Sequence, residues 1–180
     1  MAEEDARTAR ARTRWRVIVP AMCVVAAAAV GLAMWAILEG CSRTGGVWAL
    51  VAGVLLVVAG VLAPRTGDLR ARMLLSFVDR GFDGAILAAV AWVARVSDPQ
   101  AAGGALFALT AGFLAAYVRA RGAALGYLVE EGAGTRAIRC GLIALALLAG
   151  LEGWALFAVG IWMLLVTLVR VSQVAKEERA

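Results

Sequence analysis

Long apolar runs occupy most of this sequence and leave room for little else. A helix of about 20 apolar residues is long enough to cross the hydrocarbon core of a bilayer, and six runs of about 15 to 22 residues approach or reach that length. They are Val17–Leu38, Gly46–Ala63, Met73–Ala94, Gly103–Val118, Ala137–Leu151 and Gly153–Val169. The composition is 63% hydrophobic, with a mean hydropathy of +0.84. The sequence therefore predicts an all-α polytopic membrane protein, a bundle of six transmembrane helices.

The chain divides into one membrane domain with short polar ends. Residues 1–16 form a basic N-terminal segment, residues 17–170 the six-helix domain, and residues 171–180 a tail. The small residues of Gly31-Leu32-Ala33 lie inside the first apolar run and do not make a convincing cleavage site after it. We therefore expect the first run to be a retained helix and not a signal peptide.

Basic residues are concentrated at one set of helix ends. These residues are Arg7, Arg10, Arg12, Arg14, Arg16, Arg65, Arg70, Arg72, Arg119, Arg121, Arg136, Arg170, Lys176 and Arg179. The opposite connections contain only Arg43 and Arg95. Because cytoplasmic loops are enriched in Lys and Arg, we expect a multi-pass protein of the inner (plasma) membrane with both termini in the cytoplasm. The net charge of +5 then indicates topology and attraction to anionic lipids, and not nucleic-acid binding.

Cysteine and histidine usage excludes several kinds of site. Cys23, Cys41 and Cys140 are odd in number and widely spaced, which supports neither a disulfide framework nor a zinc site. The sequence has no histidine, so a histidine-based catalytic triad, histidine ligation of haem and imidazole pH sensing are excluded.

The third apolar run contains two carboxylates near its start, Asp79 and Asp83. A spacing of four places them on one face of a helix. A carboxylate at the centre of a membrane costs about 2.5 to 3.5 kcal/mol on insertion scales, so such a residue usually faces a cavity, a partner charge or a metal. This pair is the main candidate for a functional site.

Two segments resemble a known enzyme family. They are Asp79-Arg80-Gly81-Phe82-Asp83-Gly84-Ala85 and Ala116-Tyr117-Val118-Arg119-Ala120-Arg121-Gly122-Ala123-Ala124-Leu125-Gly126. They are similar to the CDP-alcohol phosphatidyltransferase family, especially its actinobacterial phosphatidylinositol-phosphate synthase branch, and the resemblance extends from about Gly60 to Val169. It implies transfer of a phosphatidyl group from CDP-diacylglycerol to a small alcohol, with release of CMP.

The resemblance also implies a metal site, of which this sequence keeps only part. In the family, four aspartates hold divalent ions, Mg²⁺ or Mn²⁺, and the last one also activates the acceptor hydroxyl. One register makes Asp79 that last, catalytic aspartate and places Leu56, Ala59 and Leu75 at the other three positions. A second register places Asp79 and Asp83 on the third and fourth aspartates. In both registers Asp79 and Asp83 are the candidate metal ligands, with Asp68 as a possible helper.

The remaining family positions are arginines. By resemblance Arg65, Arg119, Arg121, Arg136 and Arg139 bind substrate phosphates. Arginine suits this role because it makes bidentate contacts, although arginines also mark cytoplasmic helix ends. The segment Thr135-Arg136-Ala137-Ile138-Arg139 lacks the two acids usual in the family. We expect Glu130 and Glu131 to be solvated loop charges, and Glu152 to mark the outer turn before the last helix.

Three functions remain open from the sequence. One is a catalytically degenerate family member that binds lipid or nucleotide, or that serves as a homodimeric or partner subunit. A second is an active transferase that uses Mg²⁺ or Mn²⁺. A third is an unrelated small transporter, in which Asp79 and Asp83 would bind a cation or a proton. The expected partners are membrane lipids, CDP-diacylglycerol among them, and no nucleic acid.

Overall fold

The protein is an all-α bundle of six helices, as the sequence predicts. The computed structural model describes residues 2–127 and 133–177, with side chains for 14–127, 134–169 and 171–172. Glu130 and Glu131 lie outside these ranges. The helices are α1 (Ala2–Leu38), α2 (Ser42–Thr66), α3 (Leu69–Ser97), α4 (Pro99–Ala124), α5 (Ala133–Ala149) and α6 (Glu152–Glu177).

Short polar turns fix where α3 and α4 begin. Gly67 ends α2 in the left-handed region at φ 63°, which glycine adopts without steric cost. Asp68 then caps α3 by accepting a hydrogen bond from the backbone N–H of Arg70 at 2.9 Å. Asp98 caps α4 in the same way, accepting from the N–H of Ala101 at 3.0 Å. The turns of one or two residues hold α2, α3 and α4 in consecutive antiparallel contact.

The helices pack through small side chains. The contacting pairs include α1 with α2, α4 with α6, α2 with α5, and α3 with both α1 and α4. Ala49, Ala52 and Ala59 of α2 are fully buried, as are Ala105 and Ala108 of α4. In lipid, where water does not drive helices together, small residues allow the close backbone approach on which association depends.

Four of the six helices are long and apolar enough to cross a membrane. Within the described residues these segments are Arg14–Leu38, Ser42–Thr66, Pro99–Ala124 and Glu152–Val169. The protein therefore has the helices of a multi-pass membrane protein. The other two helices are not long and apolar enough by the same measure. The reason is that α3 carries Asp79, Arg80 and Asp83 in its interior, whereas α5 has only 17 residues.

The two ends of the bundle differ in composition. Exposed tryptophans Trp35, Trp48, Trp92 and Trp154 lie near the end of α1, the start of α2, the end of α3 and the start of α6. In the antiparallel bundle these positions fall at the same end, opposite to the end that contains Arg65, Arg70 and Arg72. Tryptophan is enriched at membrane interfaces and arginine on the cytoplasmic side. This end-to-end polarity includes α3, because Trp92 belongs to that helix.

Candidate functional site: a buried carboxylate–arginine cluster

The two carboxylates of α3 are buried inside the bundle. Asp79 is 1% exposed and Asp83 is 3% exposed. Phe82, between them in the sequence, is fully buried, as is Ile86, one turn beyond Phe82. The face of α3 that carries the acids is therefore the face that packs against the rest of the protein. Charges in this position need partners close by.

Three arginines surround Asp79. Its Oδ1 accepts hydrogen bonds from Nη2 of Arg139 at 2.6 Å and from Nε of Arg136 at 3.1 Å. Its Oδ2 accepts a hydrogen bond from Nη2 of Arg80 at 2.7 Å. These are short, charge-assisted hydrogen bonds, the stronger kind in proteins.

Asp83 shares two of the same arginines. Its Oδ2 lies 3.1 Å from Nη1 of Arg80, and its Oδ1 lies 3.1 Å from Nε of Arg139. Arg80 and Arg139 therefore each bridge both carboxylates, from opposite sides. Nη1 of Arg80 also donates to the carbonyl oxygen of Gly112, at 3.3 Å, which connects the cluster to α4.

Helix geometry explains why these groups meet. Arg136 and Arg139 are three residues apart on α5, so they lie on the same face of that helix. Arg80 is adjacent to Asp79 and three residues before Asp83, within reach of both. Gly60 of α2 makes room for Arg136, because a Cβ at Gly60 would collide with Nη1 of that arginine. The cluster thus depends on residues from α2, α3, α4 and α5.

The described residues do not fit a divalent metal centre. They contain no group of three or more Asp, Glu, Cys or His residues that could hold an ion. Leu56, Ala59 and Leu75, the positions that the resemblance assigns to further aspartates, lie in the apolar core. Asp68 caps α3. A hard cation needs several oxygen ligands, and here all four carboxylate oxygens of Asp79 and Asp83 already face guanidinium nitrogens at 3.1 Å or less.

A recess adjoins the cluster and is lined by both cationic and apolar groups. It is shallow and partly open to solvent, and the space in it that the centre of a water-sized sphere can occupy is about 20 Å³. Its lining residues are Arg80, Ala115, Ala116, Arg119, Thr135, Arg139, Trp162, Met163 and Val166. The lining thus includes three arginines, a hydroxyl group and an apolar wall from α6, and no carboxylate. Such a surface suits an anion that is attached to an apolar body.

The structure brings together some of the predicted site residues and leaves others apart. Arg136 and Arg139 contact the carboxylates, and Arg119 lines the recess. Arg65 and Arg121 are exposed and do not line the recess. Arg80 was not among the predicted site residues, although its spacing from Asp83 is that of a helical i, i+3 ion pair and could have indicated it.

No protein-family model matches this sequence, and no curated protein matches it.

The buried cluster generates a prediction about stability. Replacing Arg139 by methionine keeps the bulk of the side chain but removes a guanidinium that serves both carboxylates. Breaking a buried ion pair by removing one partner typically costs about 3 to 5 kcal/mol. We expect the Arg139→Met protein to unfold at a clearly lower temperature in detergent, measured by size-exclusion chromatography after heating.

Arg65→Met is the matched control, because it makes the same chemical change at an exposed position. Its effect should be within about 0.5 kcal/mol of wild type. Adding Asp83→Asn to Arg139→Met should recover part of the loss, because one fewer carboxylate then needs a partner. Equal effects of Arg139→Met and Arg65→Met would contradict a stabilising cluster.

Proposed function

We propose that this chain is a catalytically inactive, CDP-alcohol phosphatidyltransferase-like membrane protein that binds anionic phospholipid. The observation that carries the proposal is the recess in which Arg80, Arg119 and Arg139 meet an apolar wall. The family part of the proposal comes from the motif resemblance in α3 and α4. Inactivity is supported by the ligand set, since two carboxylates already paired with arginines are a poor site for the metals of phosphoryl transfer.

In this proposal all six helices cross the plasma membrane, with both termini in the cytoplasm. At 1.5 Å per residue, the 29 residues of α3 measure about 43 Å, more than the hydrocarbon core of about 30 Å. Its interior charges face partners within the bundle and not lipid. The 17 residues of α5 are at the lower limit for a span. The arginine-rich end faces the cytoplasm by the positive-inside rule.

The recess is too shallow to enclose a headgroup, but the chemistry of its lining suits the docking of a phosphate attached to an apolar tail better than that of a free apolar molecule. Guanidinium groups bind phosphate oxygens through two parallel hydrogen bonds. Trp162, Met163 and Val166 of α6 give the glycerol and the first acyl carbons an apolar surface. Anionic lipids such as phosphatidic acid and CDP-diacylglycerol combine both features. We therefore assign binding, without turnover, as the role of the site.

The topology can be tested with single cysteines in intact cells. Cys41 is exposed in the turn between α1 and α2, whereas Cys23 and Cys140 are buried. We expect an impermeant maleimide to label Cys41 from outside. In a Cys41→Ser background, Val96→Cys should also be labelled from outside, and Arg70→Cys only after permeabilisation. Because positions 70 and 96 lie at opposite ends of α3, labelling of both from the same side would show that α3 does not cross.

Lipid binding can be tested with a neighbouring pair of arginines. Arg119 lines the recess, whereas Arg121, two residues later on α4, is exposed. We expect Arg119→Gln to weaken the binding of phosphatidic acid and CDP-diacylglycerol by about tenfold. The reason is the loss of one hydrogen bond to a charged group, which contributes about 1.5 kcal/mol. Arg121→Gln should change affinity by less than about twofold. Native mass spectrometry, with phosphatidylcholine as the reference lipid, measures the lipid affinity of both variants. Equal losses of affinity in Arg119→Gln and Arg121→Gln would indicate that anionic lipid is attracted only to the charged surface and not to the recess.

Inactivity can be tested by CMP release. Purified protein is supplied with CDP-diacylglycerol, Mg²⁺ or Mn²⁺, and inositol phosphate or glycerol phosphate. We expect no metal-dependent CMP, because loss of even one charge-stabilising group slows such reactions by about 10²–10³. Activity that appears only with Leu56→Asp, Ala59→Asp and Leu75→Asp together would support the degenerate scaffold. Metal-dependent release by wild type that disappears in Asp79→Asn would establish an active transferase instead.

A further inference from the structure

We propose that Arg80, Arg136 and Arg139 are the built-in cations of the α3 carboxylate pair, and that they close this pair to divalent metal. The inference rests on the proposed inactive scaffold and gives it a physical cause. It adds that guanidinium groups take the place of a metal ion at the two carboxylates. Missing aspartates are then not the only reason why a metal would not bind. The carboxylates are kept, and the protein neutralises them with its own side chains.

The geometry shows how completely the carboxylates are occupied. Asp79 Oδ1 faces Arg139 and Arg136, and Asp79 Oδ2 faces Arg80. Asp83 Oδ1 faces Arg139, and Asp83 Oδ2 faces Arg80. A metal ion that took one oxygen from each carboxylate would have to displace a guanidinium from both. The two carboxylates of α3 are thus already bridged, by Arg80 of the same helix and by Arg139 of α5.

These cations cannot leave in the way that a metal or a proton can. A guanidinium keeps its charge at every physiological pH, because it does not lose its proton under such conditions. It is also attached covalently, so a chelator cannot remove it. An incoming divalent ion would meet a cluster of three guanidinium groups and two carboxylates, which is net positive, in a region of low dielectric where repulsion is strong. We therefore expect the contacts between these arginines and the two carboxylates to stay the same when the metal concentration changes or when the pH changes near neutrality.

The neighbouring helix is shaped for the arginine. Any side chain at position 60 would collide with the Arg136 guanidinium, so glycine at this point of α2 leaves that space to the arginine. Ala59, the residue before it, is fully buried and offers no oxygen to the cluster. The surface of α2 at Gly60 therefore leaves room for the guanidinium that Arg136 brings from α5.

The test measures Mn²⁺ binding to the purified full-length protein in zwitterionic detergent. Electron paramagnetic resonance reports free Mn²⁺, so bound Mn²⁺ is obtained by difference. We expect no saturable binding to wild type below about 1 mM, the weak end of oxygen-ligand sites. Replacing the three arginines together, as Arg80→Gln, Arg136→Gln and Arg139→Gln, should create binding of one Mn²⁺ per chain at least about tenfold tighter than wild type.

The matched control adds Asp79→Asn and Asp83→Asn to that triple variant and should abolish the new binding. A wild-type protein that binds one Mn²⁺ and loses it in Asp83→Asn would overturn the inference. So would a monodisperse triple variant that binds no more than its control. If the triple variant does not fold, Arg136→Gln serves instead, because Arg136 contacts Asp79 at 3.1 Å and, at 12% exposed, is less buried than Arg139. Mn²⁺ binding equal to that of wild type would then count against the inference.

Lipid binding and metal binding are separate readouts, so the two proposals can fail independently. Loss of the Arg119 effect on phosphatidic acid would remove the lipid site and leave the internal cations in place. Saturable Mn²⁺ binding to wild type would refute the proposal that the arginines close the carboxylates to metal. The proposal of a lipid site in the recess would then still be decided by the lipid-binding measurement.

Discussion

Charge neutralisation inside the bundle is the constraint on which this structure depends. Asp79 and Asp83 are both nearly inaccessible, and every one of their carboxylate oxygens lies within 3.1 Å of a guanidinium nitrogen. Without those partners the two acids would each carry a penalty comparable with the stability of a small domain. The helix α5 packs against α2 and α6, and from there the long side chains of Arg136 and Arg139 reach Asp79.

Such a cluster specifies an arrangement more than it adds stability. Burying five charged groups costs desolvation that their mutual attraction largely offsets, whereas any arrangement that separates them leaves a charge unpaired. A sliding of α5 by one turn, about 5.4 Å, would carry Arg136 and Arg139 away from Asp79. The apolar core around the cluster consists mainly of alanine and branched aliphatic residues, which can pack in many registers. We therefore infer that the arginine–aspartate contacts select one register among them.

Local sequence signals were enough for much of the fold and for half of the site. Apolar runs gave the six helices, and the spacing of Asp79 and Asp83 put both on one face, which turned out to be buried. Asp98 before Pro99 is a recognisable helix start. The partners of the acids could not be deduced in this way, because Arg136 and Arg139 are 57 and 60 residues from Asp79. Only tertiary packing shows that these arginines face carboxylates and that Arg65 and Arg121 face outward.

In the proposed function, arginines that occupy the carboxylates would separate binding from chemistry. Arginine and a divalent ion both attract phosphate, so on that proposal a recess lined by Arg80, Arg119 and Arg139 provides affinity for a phospholipid headgroup. A guanidinium can stabilise charge on a phosphoryl group, but it cannot coordinate and activate an attacking hydroxyl as a bound metal does. Arg80 and Arg139 also serve both the recess and the carboxylates, so a bound anion and the aspartates compete for the same donors. On the proposed function, this arrangement favours holding a lipid over transforming it.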